Sequence, residues 1–226
     1  MSGSGPTVIE YENQTFTGEH LVEADSSFFN FFSIPVLRGD PKSVLNAPHK
    51  VILSELTAKK IFGNVNPVDK QIKIGSDTVR YTVTGVMGNV PQNSHFEANM
   101  VSSFITNPRS KEPVWISNSF STYFLLKPNS SYKTVDAKYH DLMIKYVGPE
   151  IQRFANISLD DFLAKGNKYR FFLQSLNDLH LDTSVKQQDF KAPADPKYLN
   201  IFGSIPLIIV LLARIYFITL LTAPAF

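Results

Sequence analysis

The last twenty-one residues constrain the fold more than any other segment of the chain. They read PLIIVLLARIYFITLLTAPAF, Pro206 to Phe226, and contain one charged residue, Arg214. As a helix, Pro206 to Ala223 would measure roughly 27 Å at ~1.5 Å per residue, close to the hydrocarbon thickness of a bilayer. The segment therefore predicts a transmembrane helix.

Arg214 leaves a second interpretation open, a buried core helix. A charge at the bilayer centre costs about 2.5 to 3.5 kcal/mol on insertion scales, although the summed Leu and Ile contributions can outweigh one arginine. In a membrane, Arg214 would have to face partner helices or water rather than lipid. Tyr198, Tyr216 and Phe217 are candidate interface or packing aromatics.

Composition limits the rest of the chain to globular classes. With 226 residues, 43% of them apolar, it can form one large or two small domains. A net charge of +2, with no basic run longer than Lys59-Lys60, gives no support for nucleic-acid binding. The absence of cysteine excludes disulfides, thiol chemistry and cysteine-bound metals.

The first half of the chain predicts strands with two helices. Residues 1–7, MSGSGPT, read as a tag or linker outside the fold. A strand is expected from Thr15 to Asp25. A short buried helix should follow at the phenylalanine cluster, namely Phe28, Phe29, Phe31 and Phe32.

A strand-helix unit follows, with a strand at Lys50–Leu53 and Ser54 as the helix N-cap. Gly63 should end that helix, and Gly85 should allow a close approach of backbones. The inward-facing helix residues are expected to be Leu56, Ala58, Ile61 and Phe62.

Strict alternation predicts a β-hairpin around Gly75-Ser76-Asp77, with apolar residues at Ile72, Ile74, Val79, Tyr81 and Val83. Two further strands are expected, within FSTYFLLKPNSS (120–131) and at Tyr169–Leu176. Between them, 134–147 predicts a helix whose apolar face holds Val135, Tyr139, Leu142, Met143 and Tyr146. The fold class is therefore α+β.

No motif predicts catalysis, a cofactor or a metal, so the predicted site residues are none in each class. The sequence contains no GxSxG, phosphate-binding GxxxxGK[ST] or GxGxxG motif. The five histidines have no metal-ligand spacing; they are His20, His49, His95, His140 and His180.

Two short motifs leave alternatives open. A membrane-tethered hydrolase could use His95 with Ser94 or Asp182, although neighbouring side chains rarely face one substrate. Arg38-Gly39-Asp40 spells an adhesion tripeptide, which would suit a membrane-anchored binding module, but the tripeptide is typical of a turn.

Five blocks occur in a fixed order over residues 8 to 223: ADSSFFNFFSIPVLRGDP, HKVILSELTAKKIFGNVNPVDKQIKI, YTVTGVMGNVPQNSHFEANM, FFLQSLNDLHLDTS and KYLNIFGSIPLIIVLLARIYFITLLTA. Together they resemble the periplasmic core domain and following membrane helix of MacB/FtsX-like ABC transporter permeases. The resemblance implies a two-lobed domain outside the membrane, with a membrane-near α/β lobe and an inserted β-rich lobe.

The implied boundaries are a tag at 1–7 and the first part of the membrane-near lobe at 8–64. The inserted lobe, with one helix, takes 65–165. The chain returns to the membrane-near lobe through 166–197, where His180 leads it towards the membrane, and a transmembrane helix takes 198–226. The resemblance also implies a piece of a longer permease that lacks the first membrane helix.

The implied function is non-catalytic, namely relaying ATP-driven motion of the membrane helices to a periplasmic substrate or partner. The implied partners are a separate cytoplasmic ABC ATPase, a second permease copy, and a periplasmic adaptor or lipoprotein. The implied location is the bacterial inner membrane, with the domain in the periplasm.

The sequence departs from the family pattern at several places. Val68-Asp69-Lys70 lacks a glycine that would permit positive φ. In the membrane helix, Tyr216 and Thr219 replace asparagines that are common in the family, and Arg214 stands where a small or apolar residue is usual.

Overall fold

The seven strands of the described residues form one mixed sheet. The computed structural model describes residues 1–76, 79–112, 114–117, 119–179 and 196–222. The strands are β1 (Ser2–Tyr11), β2 (Gln14–Ala24), β3 (Val36–Arg38), β4 (Lys50–Ser54), β5 (Gln71–Ile74), β6 (Arg80–Met87) and β7 (Met100–Ser103). Their order is β3-β6-β4-β7-β2-β1-β5, and β5 also pairs with β6, so the ladder closes on itself.

Both faces of this sheet are buried, which explains the continuous apolar run in β4. Val51 and Leu53 belong to one core cluster, while Ile52 between them belongs to the other. Successive side chains of a strand point to opposite faces, so a strand covered on both sides needs apolar residues at every position. β4 lies between β6 and β7 at the centre of the fold.

Two helices cover the two faces. Helix α1 (Phe28–Phe32) buries Phe28 and Phe29, whereas Phe31 and Phe32 are half-buried. Helix α2 (Glu55–Phe62) begins at Ser54, whose side chain accepts a hydrogen bond from the Thr57 amide. Both predicted helices are confirmed.

The predicted end of α2 at Gly63 is also confirmed, because Gly63 has φ +60° and its amide donates to the Lys59 carbonyl. The predicted inward face is correct for Ala58, Ile61 and Phe62 and wrong for Leu56. Leu56 is 65% exposed. It lies at the second position of the helix, on the side away from the sheet.

The exclusion of residues 1–7 from the fold is wrong. Ser2 to Tyr11 form strand β1, and Ser2 lies opposite Glu23 of β2 in the antiparallel ladder. The glycine- and serine-rich composition does not predict a strand, but pairing with β2 can hold residues whose own β propensity is low.

Gly85 allows the close backbone approach that its position predicts. A Cβ at Gly85 would overlap the Arg38 carbonyl oxygen, and a Cβ at Gly39 would lie 2.5 Å from the Thr84 carbonyl oxygen. The register of β4 against β6 shifts between Val51 and Ile52 at the same level.

Asp69 adopts the left-handed conformation for which a glycine was expected. Its φ is +66°, and its amide donates to the Val83 carbonyl at 2.8 Å. Asp and Asn tolerate this region better than other residues with a Cβ. The turn is therefore built without glycine.

The second half of the first unit is helical. It contains two 3₁₀ turns (Phe104–Thr106 and Pro108–Lys111), α3 (Tyr132–Ala137), α4 (Tyr139–Leu142), a π-helical turn (Met143–Val147), α5 (Gly148–Ala155) and α6 (Leu159–Ala164). The helical face predicted over 134–147 is the less exposed one, with Met143 buried. The missed residue is Val147, which is fully buried.

The strands predicted within 120–131 and at Tyr169–Leu176 are wrong, because the described residues there form no regular strand. Side chains hold this part instead. The Glu150 carboxylate accepts hydrogen bonds from the Trp115 and Ile116 amides, and Trp115 stacks on Tyr146 with ring centroids 4.3 Å apart. Burial, followed by the charge of Glu150, raises the pKa of Tyr169, whose hydroxyl donates to the Trp115 carbonyl.

The sheet does not follow the predicted lobe boundary at residue 65. β5, β6 and β7 were assigned to an inserted lobe, yet they pair with β1, β2 and β4 in the same sheet. The structural division falls between Leu173 and Gln174, and the second unit contains helix α7 (Pro196–Thr222). The mixed α/β class and the C-terminal helix are confirmed.

The β5–β6 hairpin is confirmed, with Ile72 opposite Tyr81, and it generates a paired test. Tyr81 is 4% exposed in the apolar core, whereas its neighbour Thr82 is half-buried. Tyr81→Asp should lower the free energy of unfolding by about 3 kcal/mol or more, through lost apolar burial and an unpaired carboxylate. Thr82→Asp adds the same charge on the other face and should cost about 1 kcal/mol or less. Equal denaturant midpoints for the two variants would contradict this assignment of faces.

Candidate functional site

Helix α7 is the feature with the clearest functional meaning. Within it, Ile201–Leu221 has a mean hydropathy of 2.3, and none of that window is buried. By length and composition this helix can cross a membrane. A core helix would bury its apolar face, so the structure of the second unit does not support the buried-helix interpretation.

Two hydroxyl groups of α7, those of Ser204 and Thr219, bond to carbonyls of the same helix. Ser204 donates to the Ile201 carbonyl at 2.8 Å, and Thr219 Oγ1 lies 3.0 Å and 2.8 Å from the carbonyl oxygens of Ile215 and Tyr216. Such bonds to the preceding turn let a hydroxyl enter hydrocarbon without a partner on another helix. Pro206 is also accommodated inside the helix.

His95 is buried among aromatic side chains. It is 7% exposed, and its Nε2 lies 2.8 Å from the Tyr123 hydroxyl. Its ring packs against Phe32 and Phe96, with centroids 6.0 and 4.9 Å away. The Ser94 amide closes a turn on the Pro91 carbonyl.

The hydrolase interpretation therefore finds no support in the described residues. No hydrogen bond joins the side chains of Ser94 and His95 in the part of the chain that the structure describes. Asp182, the other partner considered, lies outside the described residues, as does His180.

The remaining histidines lie apart from one another. His20 Nε2 lies 3.9 Å from a Glu97 carboxylate oxygen, His49 packs against the Tyr81 ring, and His140 is exposed on α4. Among the described residues there is no group of three or more His, Cys, Asp or Glu side chains that could hold a metal.

Arg38-Gly39-Asp40 forms a turn at the end of β3. Gly39 has φ +97°, and the Asp40 carboxylate accepts a hydrogen bond from the Lys42 amide. The Asp40 carbonyl also accepts bonds from Ser43 and Val44. The tripeptide thus has a structural role in closing the chain against β6.

A buried polar network joins α2 to the sheet, and sequence analysis missed it. Glu19 is 5% exposed; its carboxylate accepts from the Thr57 hydroxyl at 2.6 Å and pairs with the Lys60 ammonium at 2.7 Å. The signal was available, because alternation places Glu19 on the same face as the core residue Leu21. Pairing and hydrogen bonds satisfy the carboxylate.

A polar groove of about 570 Å³ lies beside the β1–β2 turn. Its lining carries both signs of charge, including Glu10, Lys70, Lys73 and Arg80, and Glu10 already pairs with Lys73 at 3.3 Å. The groove has no cluster of one sign that would select an anion or a cation.

The described chain thus joins an α/β domain to a helix able to cross a membrane, the architecture of an extramembrane domain with an anchor. The sequence matches the family described as MacB-like periplasmic core domain over residues 2–142. The chain belongs to this family, and it is a periplasmic domain of a MacB-like ABC transporter permease. A comparison with curated proteins gives no significant match.

One solved structure has a similar fold. A domain of a putative permease protein from Porphyromonas gingivalis is similar at a TM-score of 0.56 and 20% identity, over 64% of this chain and 67% of that one. At this identity the likeness shows the fold alone.

Two other solved structures are similar at lower scores. The periplasmic region of MacB from Actinobacillus actinomycetemcomitans has a TM-score of 0.42 and 16% identity, over 74% of both chains. The extracellular domain of the noncanonic ABC-type transporter YknZ from Gram-positive bacteria has 0.37 and 18%, over 49% of this chain and 56% of that one.

The distribution of core residues predicts the effect of removing α7. The three core clusters of the described chain contain no residue beyond Phe171. A chain ending at Asp195 should therefore be soluble and should melt cooperatively, whereas the full chain should require detergent or self-associate. Gel filtration and calorimetry, with and without detergent, test both chains. An aggregated short chain beside a detergent-free, cooperatively melting long chain would contradict the membrane interpretation.

Proposed function

We propose that this domain is a non-catalytic relay in an ABC permease of the bacterial inner membrane. It transmits motion of the membrane helices to a substrate or partner in the periplasm. A separate cytoplasmic ATPase supplies the energy, and the permease works as a dimer with a second copy. A periplasmic adaptor or lipoprotein is the proposed receiving partner.

The single observation that carries this proposal is that one chain contains both the family domain and, further along, an apolar helix long enough to cross a membrane. The family match covers residues 2–142, and the candidate span is Ile201–Leu221 of the same chain. Motion of that helix reaches the domain through covalent structure, without a diffusing intermediate.

The division into two units supports a relay. The first unit includes Met1 to Leu173, and α7 belongs to the second unit. Separate units of one chain can move relative to each other about a hinge. A closed sheet with both faces buried is stiff enough to carry such a motion without deforming.

A hydrolase and an adhesion module are less well supported. His95 is held by Tyr123 and aromatic rings, and Arg38-Gly39-Asp40 has a structural role in a turn. We therefore propose that the domain transmits motion and does not catalyse a reaction.

The proposal predicts that the purified chain does not bind nucleotide, because the sequence has no phosphate-binding loop. Titration with Mg-ATP in detergent should give no heat of binding at micromolar concentrations. The same titration of the chain co-purified with its ATPase subunit should give a clear signal, which serves as the control. Micromolar binding by the chain alone would contradict the assignment of nucleotide binding to another subunit.

The relay itself predicts ATP-dependent motion between the two units. Because the chain has no cysteine, spin labels can be placed at single introduced cysteines. In the assembled transporter, the distance distribution between Lys59→Cys and Phe202→Cys should shift when Mg-ATP is added. Lys59 and Phe202 are exposed and lie in different units.

The matched control is a pair within the first unit, Lys59→Cys and Lys42→Cys, both at exposed positions. Its distance distribution should not change, because the sheet and α2 move as one body. Unchanged distributions for both pairs, with ATP hydrolysis intact, would contradict the relay.

A further inference from the structure

Arg214 lies deep within the candidate span, on the side nearer its C-terminal end. It is the one Asp, Glu, Lys or Arg between Ile201 and Leu221. At ~1.5 Å per residue, its Cα is about 10 Å from the level of Leu221. Helical side chains lean towards the helix N-terminus, so the Arg214 stem leans away from the nearer membrane surface. To reach water at that surface, the Arg214 side chain would have to turn back against this direction.

The helix provides no counter-ion for this guanidinium. The ion pairs among the described residues are His20–Glu97, Lys60–Glu19 and Lys73–Glu10, and none includes Arg214. The hydroxyls of Ser204 and Thr219 bond to carbonyls of their own helix. Residues 196–222 contain no Asp or Glu at all. An arginine in hydrocarbon needs acceptors, so they must come from outside α7.

The position of Arg214 also defines one face of the helix. At about 100° per residue, Gly203, Ser204 and Arg214 fall within about 100° of arc. The same arc also carries the large residues Leu207, Leu211 and Ile218, and the opposite face carries Phe202, Ile205, Ile209, Tyr216 and Leu220. Gly203 and Ser204 lie about 15 Å from Arg214 along the helix axis, so the charge of Arg214, rather than residue size, distinguishes this face.

We propose that this face binds another transmembrane helix that carries an Asp or Glu carboxylate within the membrane. The inference rests on the proposed membrane insertion of α7. The partner is not a second α7, because α7 has no acidic residue and two copies packed on this face would oppose their Arg214 charges. A carboxylate can accept two parallel hydrogen bonds from a guanidinium, which gives the contact both charge and geometry.

The test uses the full chain, with a donor fluorophore at Phe202→Cys, reconstituted in phosphatidylcholine vesicles at neutral pH. The probe is a synthetic leucine-rich transmembrane peptide of about 20 residues with one central Glu and an acceptor fluorophore. Control peptides carry Gln or Leu at the same position. Energy transfer should show about tenfold stronger association with the Glu peptide than with the Leu peptide, with Gln between them.

Two variants of the chain give the matched controls. Arg214→Leu should lose the preference for the Glu peptide while inserting at least as well, and Arg214→Lys should keep part of it. Equal association of the wild-type chain with all three peptides, in vesicles from which alkaline carbonate does not extract it, would overturn the pairing alone. Extraction of both the wild-type chain and Arg214→Leu by carbonate would overturn the membrane anchor itself and the pairing with it.

Discussion

The burial of β4 on both faces is the constraint on which the rest of the domain depends. Val51, Ile52 and Leu53 are inaccessible to solvent and contact two separate core clusters. An apolar strand of this kind is stable only if other side chains cover both of its faces. Each methylene left exposed to water would forgo about 0.8 kcal/mol of stabilisation from burial. On one side, the residues of α2 pack with Val51 and Leu53. On the other side, the phenylalanines of α1 pack with Ile52.

The neighbours of β4 follow from this constraint. β6 pairs with β4 in parallel, and the register shift between Val51 and Ile52 coincides with the approach of the β3 end to Gly85. Glu19 then fixes α2 over the sheet through Thr57 and Lys60, with the ion pair at 2.7 Å. Glu19 is buried and Lys60 is exposed, so the Thr57 hydroxyl and the Lys60 ammonium together satisfy a carboxylate that would otherwise be buried without a partner.

The proposed function depends on the domain and α7 belonging to one chain. The surroundings of His95 give no support to the hydrolase alternative, because its Nε2 lies near a tyrosine hydroxyl and its ring lies among phenylalanines. Arg214 differs from His95, whose Nε2 has this partner, because none of the ion pairs of the described residues includes Arg214. It is a charged group in the most apolar segment of the chain, and a counter-charge from another helix would lower the cost of placing it in the membrane.

The sequence by itself determined the elements whose signals are local. The hairpin around Tyr81, the Ser54 cap, the end of α2 at Gly63 and the apolar helix around Arg214 depend on period, caps and length, which neighbouring residues carry. Tertiary structure decided the rest. Residues 2–7 form a strand because β2 offers hydrogen bonds, whereas 120–131 and 169–176 have strand-like composition but no partner strand among the described residues. Strand pairing joins residues far apart in the chain, so composition alone cannot reveal whether a partner is present.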